Sequence, residues 1–152
     1  MHRKLGLPVS VIILLAAIAA IRVPLHDLGI VPDRSVVAGL LVFVPLTIWL
    51  IVVLRRPIPN PFFALTAVGL AYGVMLAIIH QLLWTAAYDG NSPSLGGNLK
   101  GVLAPGLEVV IFRTSAFFSS VVTGTILGAI VGAIAWVIER ACLMRCVRKP
   151  HP

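Results

Sequence analysis

The sequence predicts an all-α integral membrane protein, a bundle of four transmembrane helices with both termini in the cytoplasm. Two observations set the class and a third sets the orientation. Four apolar runs, at residues 5–21, 35–54, 62–84 and 114–138, contain no Asp, Glu, Lys or Arg. The 152-residue chain is 59% hydrophobic and 11% charged, with a mean hydropathy of +1.04. A soluble domain of this size has too little interior to hide that much apolar side chain. A single membrane domain, residues 1–152, is the natural reading.

The third observation is the placing of the cations. With the N-terminus inside, the inner side holds Arg3, Lys4, Arg55, Arg56, Arg140, Arg145, Arg148 and Lys149. The outer side holds Arg22, Arg34, Lys100 and Arg113. Eight against four accounts for all 12 cations and puts both ends on the cytoplasmic side of a cell membrane, because cations are retained there. Asp27, Asp33, Asp89 and Glu108 fall outside, and Glu139 inside. The net charge of +7 does not form a basic stripe, so it points to topology and anionic lipid rather than to nucleic acid.

The first run carries Pro8 near its start, where a first helical turn tolerates proline. A rival reading takes the basic start, apolar middle and Ala17-Ile18-Ala19 as a cleavable signal peptide covering about the first 20 residues. The continuation through Ile21 and the three later runs favour an uncleaved span. Pro24, Gly29 and Pro32 make residues 22–34 a turn-rich outer loop. Pro45, mid-way along the second run, predicts a kink over residues 41–45, since proline removes a backbone hydrogen bond and crowds the preceding turn. A transporter hinge is the alternative to an ordinary kink. Pro57, Pro59 and Pro61 stiffen the inner connection, making the second and third spans an antiparallel pair.

Residues 85–113 divide in two. Tyr88 to Gly97 reads as a flexible loop. Pro105 and Glu108 suit a helix start, which predicts a short outer interfacial helix before the fourth span. A continuous helix over residues 105–140 would be about 54 Å long and overrun the bilayer. The sequence therefore calls for a break at residues 113–115 or for a helix that projects outward.

Small residues recur every fourth position in the last two spans. Ser120, Gly124, Gly128 and Gly132 form one ridge, and Gly69, Gly73 and Ala77 form another. Such small-xxx-small ridges let two helix backbones approach closely. The spans are antiparallel and Gly73 and Gly128 lie near their centres, so the ridges are expected to meet within the chain. Use of the fourth-span ridge in a homo-oligomer, or against another membrane protein, is the alternative.

The candidate polar site lies at the outer end of that seam. His80 is the titratable histidine inside a span, and an ionisable side chain at depth marks function by default. Gln81 adjoins it, and Ser115, Ser119, Ser120 and Thr123 offer hydroxyl partners from the outer half of span four. The structural alternative is a neutral histidine tying helices together. No GxSxG, P-loop, GxGxxG or HExxH spacing is present, so no catalytic, metal or cofactor site is expected. His80 with Ser115 or Ser119 is the nearest approach to a catalytic pair. Cys142 and Cys146, at i and i+4 beyond the last span, read as incidental thiols or as targets of acylation or oxidation.

These features suggest a non-enzymatic membrane subunit or assembly partner. A small transporter or channel working through His80 is the alternative.

Overall fold

In a computed structural model the protein is all-helical among its described residues, which are 6–32, 34–88, 90, 91 and 93–147. Arg3, Lys4, Asp33, Asp89, Arg148 and Lys149, used above for orientation, lie outside them, as does Leu5 at the start of the first run. The elements are α1 (Val9–Ala20), α2 (Arg22–Asp27), α3 (Val36–Leu54), α4 (Pro61–Leu82), α5 (Trp84–Ala87), a single 3-10 turn (Gly97–Leu99) and α6 (Pro105–Val147). Four stretches are long and apolar enough to cross a membrane: Val9–Asp27, Val36–Leu54, Pro61–Leu82 and Pro105–Cys142.

Local chemistry starts the helices where the chain needs them. The hydroxyl of Ser35 accepts from the amide of Ala38 at 3.1 Å and caps α3. Asn60 does the same for the amide of Phe63 at 3.3 Å, with Pro61 as the first residue of α4. Both caps satisfy amides that a first turn leaves without carbonyl partners. Helix α3 continues through Pro45, which is buried on the same face as Ala38, Trp49 and Val53.

Three expected boundaries change. The outer loop at residues 22–34 is helical as far as Asp27. Pro24 lies in the first turn of α2, where its missing N–H goes unused, and the break falls at Ile21, before the proline ring can crowd the Ala20 carbonyl. The third span ends at Leu82 rather than residue 84, with Trp84 opening the short α5. The interfacial helix and the fourth span are one helix, α6, of 43 residues and about 64 Å, without a break at residues 113–115. Of the two outcomes left open, the break is absent and the helix runs on uninterrupted. No glycine or proline lies between Leu107 and Gly124 to interrupt it.

Helix α4 is the centre of the bundle. It touches α1, α2, α3 and α6, and its contact with α6 is by far the most extensive. Its buried residues, Pro61, Ala64, Leu65, Val68, Gly69, Tyr72, Gly73 and Ala77, follow three-and-four spacing, as one stripe of a helix must. On α1 the matching stripe is Ile12, Leu15, Ala16, Ala19 and Ala20. Trp49 of α3 closes the gap between them. Its indole N–H donates to the Leu15 carbonyl at 2.8 Å, and its ring meets Tyr72 edge-on at 5.9 Å.

The two small-residue ridges meet. A Cβ added at Gly69 would lie 2.6 Å from the Gly128 Cα, and one at Gly73 would lie 2.8 Å from the Val121 carbonyl oxygen. At Gly124 it would lie 2.6 Å from the Gly69 carbonyl oxygen, and at Gly132 2.8 Å from that of Phe62. All four are contacts with backbone, which cannot rotate away. Ser120 and Ala77 are buried along the same seam region. The ridge of the fourth span is thus taken up inside the chain.

Candidate functional site

The stripe that packs α1 onto α4 does not stop at Ala20. It passes Val23, which is buried, and reaches Asp27 one turn later. Gly29 then adopts φ +66°, and the amide of Ile30 closes onto the Leu25 carbonyl, ending the helix just beyond. The first helix is therefore extended far enough to carry a carboxylate into the bundle. The Asp27 side chain is only 3% exposed.

Two imidazoles face that carboxylate. The Nδ1–H of His26 donates to Oδ1 at 3.1 Å. Nδ1 of His80, near the end of α4, stands 3.0 Å from Oδ2. That second contact has ion-pair distance but lies off the line of a hydrogen bond, so Oδ2 is buried without accepting one. A carboxylate oxygen removed from water and left without a donor is costly. Asp27 thus retains unused acceptor capacity on the side facing His80.

Beside this group is an open cleft of about 350 Å³. His26, Asp27 and His80 form its polar wall, Trp84 and Tyr88 its aromatic wall, and Ser119 contributes from α6. The two aromatic rings are 4.9 Å apart and tilted. The Arg113 guanidinium lies over Trp84, 5.3 Å from its ring centroid, close enough for a cation–π attraction. The buried Nε of Arg113 has no hydrogen-bond partner. Gln81 donates to the Arg113 carbonyl at 3.0 Å, which ties α4 to the N-terminal extension of α6. The long loop is held to that extension too, since Glu108 is buried and accepts from the Leu95 amide at 3.3 Å.

The expected polar residues therefore separate. His80, Ser119 and Ser120 line the cleft, whereas Gln81 bonds to backbone and Ser115 and Thr123 are exposed. The partner of His80 is Asp27 rather than a hydroxyl. Ser120, offered as a hydroxyl partner from the outer half of span four, also belongs to the small-residue ridge and is buried, and its hydroxyl donates to the Ala116 carbonyl at 2.8 Å. Aspartate, histidine and serine do share one cleft. A hydrolytic triad needs the serine bonded to the imidazole, and among the described residues no serine hydroxyl is hydrogen-bonded to His80. Nor does any group of three His, Cys, Asp or Glu among them converge as metal ligands.

Asp27 and His26 are residues of the cleft that sequence reasoning left out of the candidate polar site. The signal for Asp27 was present in the spacing of Ala16, Ala20, Val23 and Asp27, which continues one helical face through Pro24. Comparison with protein families, with curated proteins and with solved structures finds no match.

Proposed function

We propose that the chain is a small multi-pass protein of the cell membrane, with both termini cytoplasmic, that acts as a non-enzymatic binding subunit. Its scaffold is the α4–α6 seam, and its working part is the His26–Asp27–His80 cleft. Four apolar helices and the eight-to-four distribution of cations support the membrane setting and orientation. The observation that carries the function is Asp27. A carboxylate within a helical bundle, faced by two imidazoles and opening onto a cleft, is expensive to maintain for packing alone.

A binding role fits better than a conducting one. The polar groups gather at one end of the bundle, while the runs 36–54, 62–79 and 114–138 contain no Asp, Glu, Lys, Arg or His. Through the middle, the glycine backbones of α4 and α6 touch and leave no room for a hydrated path between these two helices. Charged or histidine side chains at depth mark ion and proton pathways, and these runs carry none.

Reconstitution in liposomes tests this reading. Proton and potassium flux should match that of empty vesicles. Native mass spectrometry of the protein released from mild detergent should detect a bound solute or partner that Asp27→Asn releases. Flux above the empty-vesicle level that Asp27→Asn abolishes would make the protein a transporter instead.

A further inference from the structure

We infer that the cleft between α2, α4 and α6 binds a primary ammonium group, with Asp27 as its anchor; this rests on the binding role proposed above and names the ligand class. Asp27 supplies the negative charge. Asp27 lines the cleft, and its Oδ2, buried behind that wall 3.0 Å from His80 Nδ1, accepts no hydrogen bond from the protein. A carboxylate oxygen needs an N–H or O–H donor, and an ammonium offers three such donors together with the compensating charge.

The other walls suit the rest of such a ligand. Trp84 and Tyr88 present aromatic surface to the carbon atoms beside the nitrogen, and a ring face also attracts a cation. The Ser119 hydroxyl can accept a second ammonium hydrogen. The titratable groups facing the cleft are His26, Asp27 and His80, with Tyr88 near the mouth. The nearby cation, Arg113, is held against the Trp84 ring and makes no salt bridge to Asp27 among the described residues. An anionic ligand would meet the carboxylate directly. A quaternary ammonium would bring charge but no N–H donor for Oδ2. A volume of about 350 Å³ suits a compact solute rather than a long chain.

The three tryptophans provide the test. Trp84 lines this cleft, Trp49 is buried in the core, and Trp136 lines a separate cleft with Asn60, Phe62 and Ala133. In the full chain, labelled with ¹⁵N-tryptophan and held in nanodiscs, each indole N–H gives its own NMR signal. Titration with n-propylammonium should move the Trp84 signal saturably and leave Trp49 and Trp136 in place. Asp27→Asn should weaken that response by about tenfold or more, because a charge-assisted hydrogen bond is lost. Unmoved Trp49 and Trp136 signals would show that this variant folds. Ser119→Leu, at an exposed position lining the cleft, should block the response independently. Tetramethylammonium and propionate should not reproduce it.

The inference is overturned by an unresponsive Trp84, by an undiminished response in either variant, or by an equal response to tetramethylammonium or propionate. A Trp84 that ignores n-propylammonium would leave the wider binding role to the liposome and mass-spectrometry results, so the two failures are distinguishable.

Discussion

Nδ1 of His80 stands 3.0 Å from Oδ2 of Asp27, joining the last turn of the third span to the end of the first. Without this contact the first helix would be fixed mainly by apolar side chains. Such contacts have little preference for one another over lipid. Together with the Trp49 bond to the Leu15 carbonyl, this polar contact ties the α1 and α2 segment to the bundle beside the cleft.

The α4–α6 seam predicts a steep size limit at its glycines. Gly128→Leu would drive a side chain into the backbone of Leu65 and Gly69, and should cost about 3 kcal/mol or more. Ile130→Leu, at a position 54% exposed on the same helix, should stay within about 0.5 kcal/mol. Unfolding of the two variants in mixed detergent micelles measures the difference. Equal stability would remove the seam from the account.

The Trp49 indole reaches across to the first span. Trp49→Phe should destabilise the bundle by about 1–3 kcal/mol, through loss of the bond to the Leu15 carbonyl and of packed volume. Trp136 is 43% exposed, and Trp136→Phe should be nearly neutral. The same unfolding measurement compares them.

Much of the scaffold could be read from the sequence, because each span has its own apolar run and the last two carry small-residue spacings that match. Gly69, Gly73, Gly124, Gly128 and Gly132 announced a close helix pair on residue type alone. The site was less legible because it depends on where helices end. Pro24 and Gly29 both looked like loop residues, yet only Gly29 ends a helix; Pro24 sits in a first turn. That single difference carries Asp27 from the loop into the bundle. His80 was visible as an ionisable residue in an apolar run, but its partner lies 53 positions earlier and no local pattern links them. Glu108 was correctly placed near a helix start, while its burial depends on the loop that folds back to offer the Leu95 amide.

Orientation has a direct chemical test. Cys142 is exposed near the end of α6 and is free. With cytoplasmic termini, a membrane-impermeant maleimide should leave Cys142 and Cys146 unlabelled in intact cells and label them after permeabilisation. Labelling of intact cells would reverse the topology and place the cleft on the cytoplasmic side.

The pairing of Asp27 with His80 is tested most directly by a double-mutant cycle. Unfolding free energies in mixed micelles would be compared for the wild type, Asp27→Ala, His80→Ala and the double variant. Contacting polar residues couple by about 0.5–3 kcal/mol, and a coupling of about 1 kcal/mol or more is predicted here. Effects that add to within about 0.3 kcal/mol would mean that the two side chains act independently, contradicting the contact beside the cleft.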